Sequence, residues 1–312
     1  METTILGRTG LEVSVAGLGC GGHSRLGMTY GNDESHATGI VEYAMDQGIN
    51  FIDTARAYRT EVAVGKAIKG KRDRVVISTK SLVGRGEELL SGQDIVVSLE
   101  KSLVNLQTDY VDVYNLHGVT VEQYPHCISE ILPALLKQQE AGRIRYLGIT
   151  ETFVREPSHA MLQLALGDDY FDVVMVGFNL LNPSARETVF PLTIKNNVAT
   201  QIMFAVRRAL SQPDVLREVV GNLIESGDLE ESLVDRHSPL QFLEKNAQVK
   251  SIVEAAYRFC RFEPGVTVVL TGTGSKDHLK ENIESILAGP LPADLMEALS
   301  NLFGKIDSIS GN

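Results

Sequence analysis

The chain has 312 residues, 43% of them hydrophobic and 22% charged, an ordinary balance for a globular protein with a sizeable core. A net charge of −11 with no lysine- or arginine-rich run excludes a phosphate-backbone binder, because no basic excess exists to displace counterions. No apolar run reaches the roughly eighteen residues of a membrane-spanning helix. The three cysteines (Cys20, Cys127, Cys260) are widely spaced without a C-x-x-C, so they predict reduced thiols and no metal site.

In chain order, the N-terminus "METTILGRTGLEV" has no basic region followed by an apolar stretch, so no secretion signal is expected and a cytoplasmic protein is. Residues 4–14, "TILGRTGLEVS", predict a small hairpin turning at Arg8–Gly10, placed to close a barrel floor. Short β-branched runs then alternate with amphipathic stretches. The predicted strands are 13–19, 50–55, 74–80, 110–117, 144–150, 171–179, 198–206 and 266–273. Helical periodicity lies between them, as in "ESHATGIVEYAMDQG", "QDIVVSLEKSLVNL" and "ISEILPALLKQQEAG".

Strict strand–helix alternation predicts parallel pairing with helical crossovers, and eight such units are the size of one (β/α)₈ TIM barrel domain spanning 1–312. A doubly wound sheet is the competing architecture. Its dinucleotide fingerprint requires a helix directly after the glycines, whereas "VAGLGCGG" runs on into "HSRLGMTYGND". The connection between the seventh and eighth strands, about 212–247, is too long and acidic for a simple crossover. It reads equally as a lid over the active face or as a solvated surface helix.

Barrel active sites lie at the C-terminal strand ends. The second, third and fourth strands end there on Asp53, with Tyr58 just beyond, Lys80 and His117. Each has a bland reading: a turn cap, a solvated strand end, a structural histidine. Together they make chemical sense. A phenol is a weak acid near neutrality, an ammonium beside it favours the phenolate, and a carboxylate holds the ammonium. Such a group exchanges a proton with a carbonyl or alcohol oxygen while hydride moves at carbon. No side chain carries hydride, so a nicotinamide cofactor, NAD(P)(H), is implied.

The segments "DTARAY" (53–58), "ISTK" (77–80), "YNLH" (114–117), "GRIRYLGIT" (142–150) and "VLTGTGSKDHLKENI" (269–283) resemble the aldo-keto reductase superfamily, in order and over nearly the whole chain. The resemblance implies a (β/α)₈ barrel binding NAD(P)(H) without a Rossmann domain. It implies Tyr58 as general acid/base, Lys80 and Asp53 as its tuning pair and His117 as the residue that orients substrate. It also implies a cofactor track along Gly19, Asp53, Thr150, Asn179, Met203, Phe204 and Arg208, continuing through Gly272, Thr273, Gly274, His278, Glu281 and Asn282.

Several positions depart from the family pattern. Thr150-Glu151 replaces a common Ser-Asn, Met175 a common Gln, Gly272 a lysine, and His278 the arginine that meets the 2′-phosphate of NADP. NAD is therefore expected to serve at least comparably to NADP. The "LTGTG" ending resembles sugar and aldose dehydrogenases, and the absence of tryptophan favours a small polar substrate over an apolar one. Two other classes fit the same fold: a cofactor-independent lyase or isomerase using Tyr58 and Lys80, and a non-catalytic regulatory or binding subunit.

Overall fold

The computed structural model describes residues 1–85 and 88–312. Thr3–Ile5 (β1) pairs antiparallel with Glu12–Ser14 (β2). The connecting turn, Gly7–Thr9, ends on Gly10 at φ 70°, a left-handed conformation that glycine adopts without steric cost. The expected hairpin is thus present. It also plugs the barrel, since its Leu6 and Val13 pack with Phe51, Val76, Val113, Val173, Ala199 and Val268.

All eight predicted strands enter one closed parallel barrel. They are Ala16–Gly19 (β3), Phe51–Asp53 (β4), Val76–Leu82 (β5) and, after a small ribbon of Gly84–Arg85 (β6) and Glu88–Leu89 (β7), Val111–Val119 (β8). Ile144–Glu151 (β9), Val173–Gly177 (β10), Ala199–Met203 (β11) and Val268–Thr271 (β12) complete it, with β12 pairing back onto β3. The first strand is shorter than expected. Residues of its predicted start belong to the hairpin instead, and the chain bends between them where the Ser14 hydroxyl donates to the Ala16 carbonyl at 2.7 Å.

Helices surround the barrel and begin where side chains satisfy their free amides. Asp33 caps Glu34–Asp46 by accepting from the His36 amide, and Ser91 with Asp94 forms a capping box on Gly92–Leu106. The connection after β11 is ordered. Its helix Pro213–Ser226 buries Leu216, Val220 and Leu223, whereas the following turns to Gln241–Glu244 anchor mainly through Leu229, Leu240 and Leu243. After the last helix, Ala293–Phe303, the tail returns to the barrel mouth. There Asn179 Nδ2 donates to the Ser310 carbonyl at 3.2 Å, and the Ala209 amide donates to the Gly311 carbonyl at 3.2 Å. Among the described residues no helix is long and apolar enough to cross a membrane.

Candidate active site

Side chains alternate along a strand, so Lys80 and Ser78 of β5 share the barrel interior, as do His117 and Asn115 of β8. Asp53, the last residue of β4, is buried and accepts from the fully buried Lys80 ammonium. Tyr58 follows in the single turn Arg56–Tyr58, with its backbone carbonyl held by Arg25 Nε at 2.8 Å. Its ring lies directly on Gly21, where any β-carbon would collide with the phenol. The Tyr58 hydroxyl stands 3.4 Å from His117 Nε2, and the two rings meet edge-on with centroids 5.5 Å apart. Between Leu116 and Val119 the pairing of β8 with β9 slips, and the Gly118 amide donates to Thr150 Oγ1 at 2.7 Å. That bulge, with Gly118 at φ 63°, brings His117 to the mouth. The structure therefore brings together all four residues singled out at the strand ends.

Their electrostatics differ from the expectation in one respect. Burial pushes the Tyr58 phenol well above its ordinary value, and the negative charge of Asp53 adds to this. The Lys80 ammonium lies 5.2 Å from the Tyr58 ring centroid, but its hydrogen bond goes to Asp53. Burial thus favours the protonated phenol, while the nearby ammonium gives its hydrogen bond to the carboxylate. Burial likewise raises Asp53, opposed by Lys80 and by the Ser78 hydroxyl. His117 is lowered to about 3, first by burial and then by the Lys80 charge, so its imidazole is neutral near pH 7. Its Nδ1 is buried without a partner among the described residues.

The residues beyond β12 fit a phosphate-bearing dinucleotide. Ser275 caps Lys276–Leu287 by accepting from the His278 amide at 3.3 Å, and Thr273 Oγ1 accepts from the Ser275 amide at 3.1 Å. A β-carbon at Gly272 would come within 2.6 Å of the Gly19 carbonyl oxygen, and one at Gly274 would collide with Gly27. The glycines thus let these backbone segments pack closely against Gly19 and Gly27 beside a helix N-terminus, where anions bind. Nearby, Gly22, His23, Arg207, Arg208, Gln212 and Asn312 line a cavity of about 550 Å³. Arg207 Nε is buried there without a partner among the described residues, and its guanidinium stacks 4.1 Å over the ring of Phe204. Phe204 sits at φ 68°, a strained conformation for a bulky side chain, wedged edge-on against Phe153.

Other residues on the expected track are occupied with structure. The hydroxyl of Thr150 accepts from Gly118, and Asn179 is fully buried, with Oδ1 accepting from the Leu181 and Asn182 amides. Asn282 donates to Thr271 Oγ1 at 2.9 Å. Met203 is partly exposed at the end of β11, whereas Arg208, His278 and Glu281 are exposed. Glu151, where the family pattern has an amide, is buried within hydrogen-bond distance of His159 Nδ1 at 2.9 Å and also accepts from the Gly177 amide.

Sequence reasoning did not find the polar floor beneath Lys80, formed by Ser78, Asn115 and Gln201. The signal was present: Ser78 and Asn115 lie two residues before Lys80 and His117, and so on the same face.

The (β/α)₈ barrel and the family that it matches define an oxidoreductase. Residues 18–302 match the model of the Aldo/keto reductase family, and the chain belongs to that family, whose members are generally NAD(P)-dependent. It is 28% identical over 314 residues to the uncharacterized oxidoreductase YqkF of Bacillus subtilis (strain 168), covering 96% of each chain. A shorter match, 36% identical over 159 residues and 48% of each chain, is to L-galactose dehydrogenase of Arabidopsis thaliana. Among solved structures, the holo form of aldo-keto reductase AKR11C1 from Bacillus halodurans superposes with a TM-score of 0.76 at 28% identity. That match covers 99% of this chain and 98% of the other.

Proposed function

We propose that the protein interconverts a carbonyl and an alcohol with NAD(P)(H), Tyr58 exchanging the proton at the substrate oxygen. The observation that carries this reading is the Tyr58 hydroxyl 3.4 Å from a neutral His117 at the barrel mouth. A carbonyl oxygen seated between these two groups meets the phenol proton and the imidazole edge together. When bound, the nicotinamide gives or takes the hydride at the substrate carbon. Tyr58 donates its proton to the oxygen in reduction and takes it back in oxidation. Burial keeps the phenol protonated, which suits the reducing direction near neutrality and predicts that oxidation needs alkaline conditions. His117, uncharged, orients the oxygen without competing for the proton. The Lys80–Asp53 pair supplies the local field while adding no net charge.

The cofactor's phosphates are assigned to the Gly272–Gly274 backbone, the helix N-terminus after Ser275 and the Arg207–Arg208 pair. A small polar substrate, with sugars as one class, is supported by the match to L-galactose dehydrogenase and by the absence of tryptophan. Three buried, unpaired cysteines support a reducing, cytoplasmic setting. The test is a panel of aldehydes, ketones and aldoses with NAD(H) and NADP(H), followed at the nicotinamide absorbance. Turnover of at least one pair is expected. No turnover, together with no change in nicotinamide fluorescence on titration, would favour cofactor-independent barrel chemistry instead.

A further inference from the structure

Beneath the Lys80–Asp53 pair lies a polar cluster for which the proposed proton transfer has no direct use. Ser78 Oγ is 3.1 Å from Asp53 Oδ1, 3.0 Å from Asn115 Nδ2 and within 3.4 Å of both ends of the Gln201 amide. Asp53 comes from β4, Ser78 from β5, Asn115 from β8 and Gln201 from β11. Ser78, Asn115 and Gln201 are fully buried, and Asp53 nearly so.

Counting protons fixes the direction of every bond. A hydroxyl has one proton and two acceptor sites. An ionised Asp53 only accepts, so the single Ser78 proton goes to it. The Asn115 amide has two protons, one for Ser78 Oγ and one for the Thr79 carbonyl at 3.1 Å. That leaves one acceptor site on Ser78, which the Gln201 Nε2 donor fills at 3.3 Å. Ser78 is then saturated, and its hydroxyl has no alternative orientation. Room for Asn115 comes from Gly148 of β9, where a β-carbon would collide with Asn115 Oδ1.

We propose that Ser78 is a positioning residue for the reaction: oriented by Asn115 and Gln201, its hydroxyl holds the Asp53 carboxylate and shares its charge, and so sets how strongly Tyr58 holds its proton. The inference rests on the reading of Tyr58 as the proton-exchanging group. The groups facing this carboxylate and phenol are Lys80 of β5, Cys20 after β3, His117 of β8 and Arg25, which holds the Tyr58 backbone. Among the described residues, only Lys80 and Ser78 bond the carboxylate side chain. Without the Ser78 proton, the whole carboxylate charge falls on Lys80 and on the nearby phenol. Lys80 is drawn tighter to Asp53, and both changes make the phenol harder to ionise.

The test is the pH profile of kcat for oxidation of benzyl alcohol or glucose, whichever the wild-type protein turns over. Tyr58→Phe serves as control and nicotinamide fluorescence as a check on cofactor binding. Ser78→Ala is expected to move the rising limb upward by about half to one pH unit, a part of the roughly one to two units that a lost hydrogen bond to a charged group is worth, because the change reaches Tyr58 only through Asp53. Cofactor affinity should be unchanged, and Ser78→Thr, which keeps the hydroxyl, should return the profile toward wild type. If Ser78→Ala does not fold, Gln201→Met and Asn115→Leu are expected to shift the limb the same way by less. An unshifted limb, or a uniform loss at every pH, overturns the role of Ser78. Normal turnover in the Tyr58→Phe control instead overturns the reading of Tyr58 and is recognised separately.

Discussion

Lys80 donates its hydrogen bond to Asp53 while its ammonium stands 5.2 Å from the ring centroid of Tyr58, so the cation faces the phenol but is neutralised by the carboxylate. Both partners are buried. A pair of this kind contributes little net stability, whereas removing one partner strands a buried charge.

Lys80→Met is therefore expected to cost about 3–5 kcal/mol of stability, the usual penalty for breaking a buried pair. The double variant Asp53→Asn, Lys80→Met should recover most of it while remaining inactive. Urea midpoints of the two variants decide this. Equal destabilisation in both would mean that packing, not stranded charge, is the cause.

His117 links stability to acid. Its folded-state value is lowered to about 3 from 6.5, so the unfolded chain takes up the proton first. Stability is fully present above about pH 6.5 and is lost as pH falls towards 3. Because the imidazole edge opens at the mouth, we expect about 1–3 kcal/mol from this group. His117→Gln should lose correspondingly less stability over that range. Parallel stability–pH curves for the two proteins would contradict it.

The connection after β11 is expected to close on cofactor. Asp228 in that segment accepts from Ser308 of the C-terminal tail at 2.7 Å, and the tail's Asn312 accepts from Arg207 at 2.6 Å in the cavity. A phosphate at Arg207 therefore reaches the segment through two hydrogen bonds. Trypsin cleavage at the exposed Arg236 should slow with saturating cofactor. Equal rates with and without it would leave a plain surface segment.

NAD should serve at least comparably to NADP. His278 is exposed where a 2′-phosphate would meet arginine in the family pattern, and an imidazole lacks the guanidinium fork that matches phosphate oxygens. Lys276 lies 5.6 Å from the Tyr43 ring centroid and offers a salt-screened point charge. Losing charge-assisted contacts worth about 1.5–3 kcal/mol each removes the basis for a strong NADP preference. The ratio of kcat/KM for the two cofactors at physiological salt measures it, and a hundredfold preference for NADP would contradict the assignment.

The barrel was legible because parallel strands buried on both faces leave continuous β-branched runs, and amphipathic helices separate them. Asp53, Tyr58, Lys80 and His117 were legible because polar residues ending such runs are exceptional. The field on Tyr58 was not, since whether Lys80 spends its charge on Asp53 or on the phenol depends on distances across strands. Asn179 was less legible for a related reason: an amide at a strand end suits a turn and a returning tail as readily as a ligand. Of the polar floor, Ser78 and Asn115 were legible by their two-residue offset from Lys80 and His117, whereas Gln201 was not, since no local pattern encodes how β11 faces them across the barrel.

Tyr58 is the residue on which the proposed proton transfer depends most directly. Tyr58→Phe removes only the hydroxyl from a ring seated on Gly21, so fold and cofactor affinity should survive. General acid catalysis is worth about 10²–10⁴-fold. Steady-state turnover on the best substrate of the panel should fall by at least about a hundredfold, with the dissociation constant for the nicotinamide cofactor nearly unchanged. Turnover within a few-fold of wild type would contradict the account.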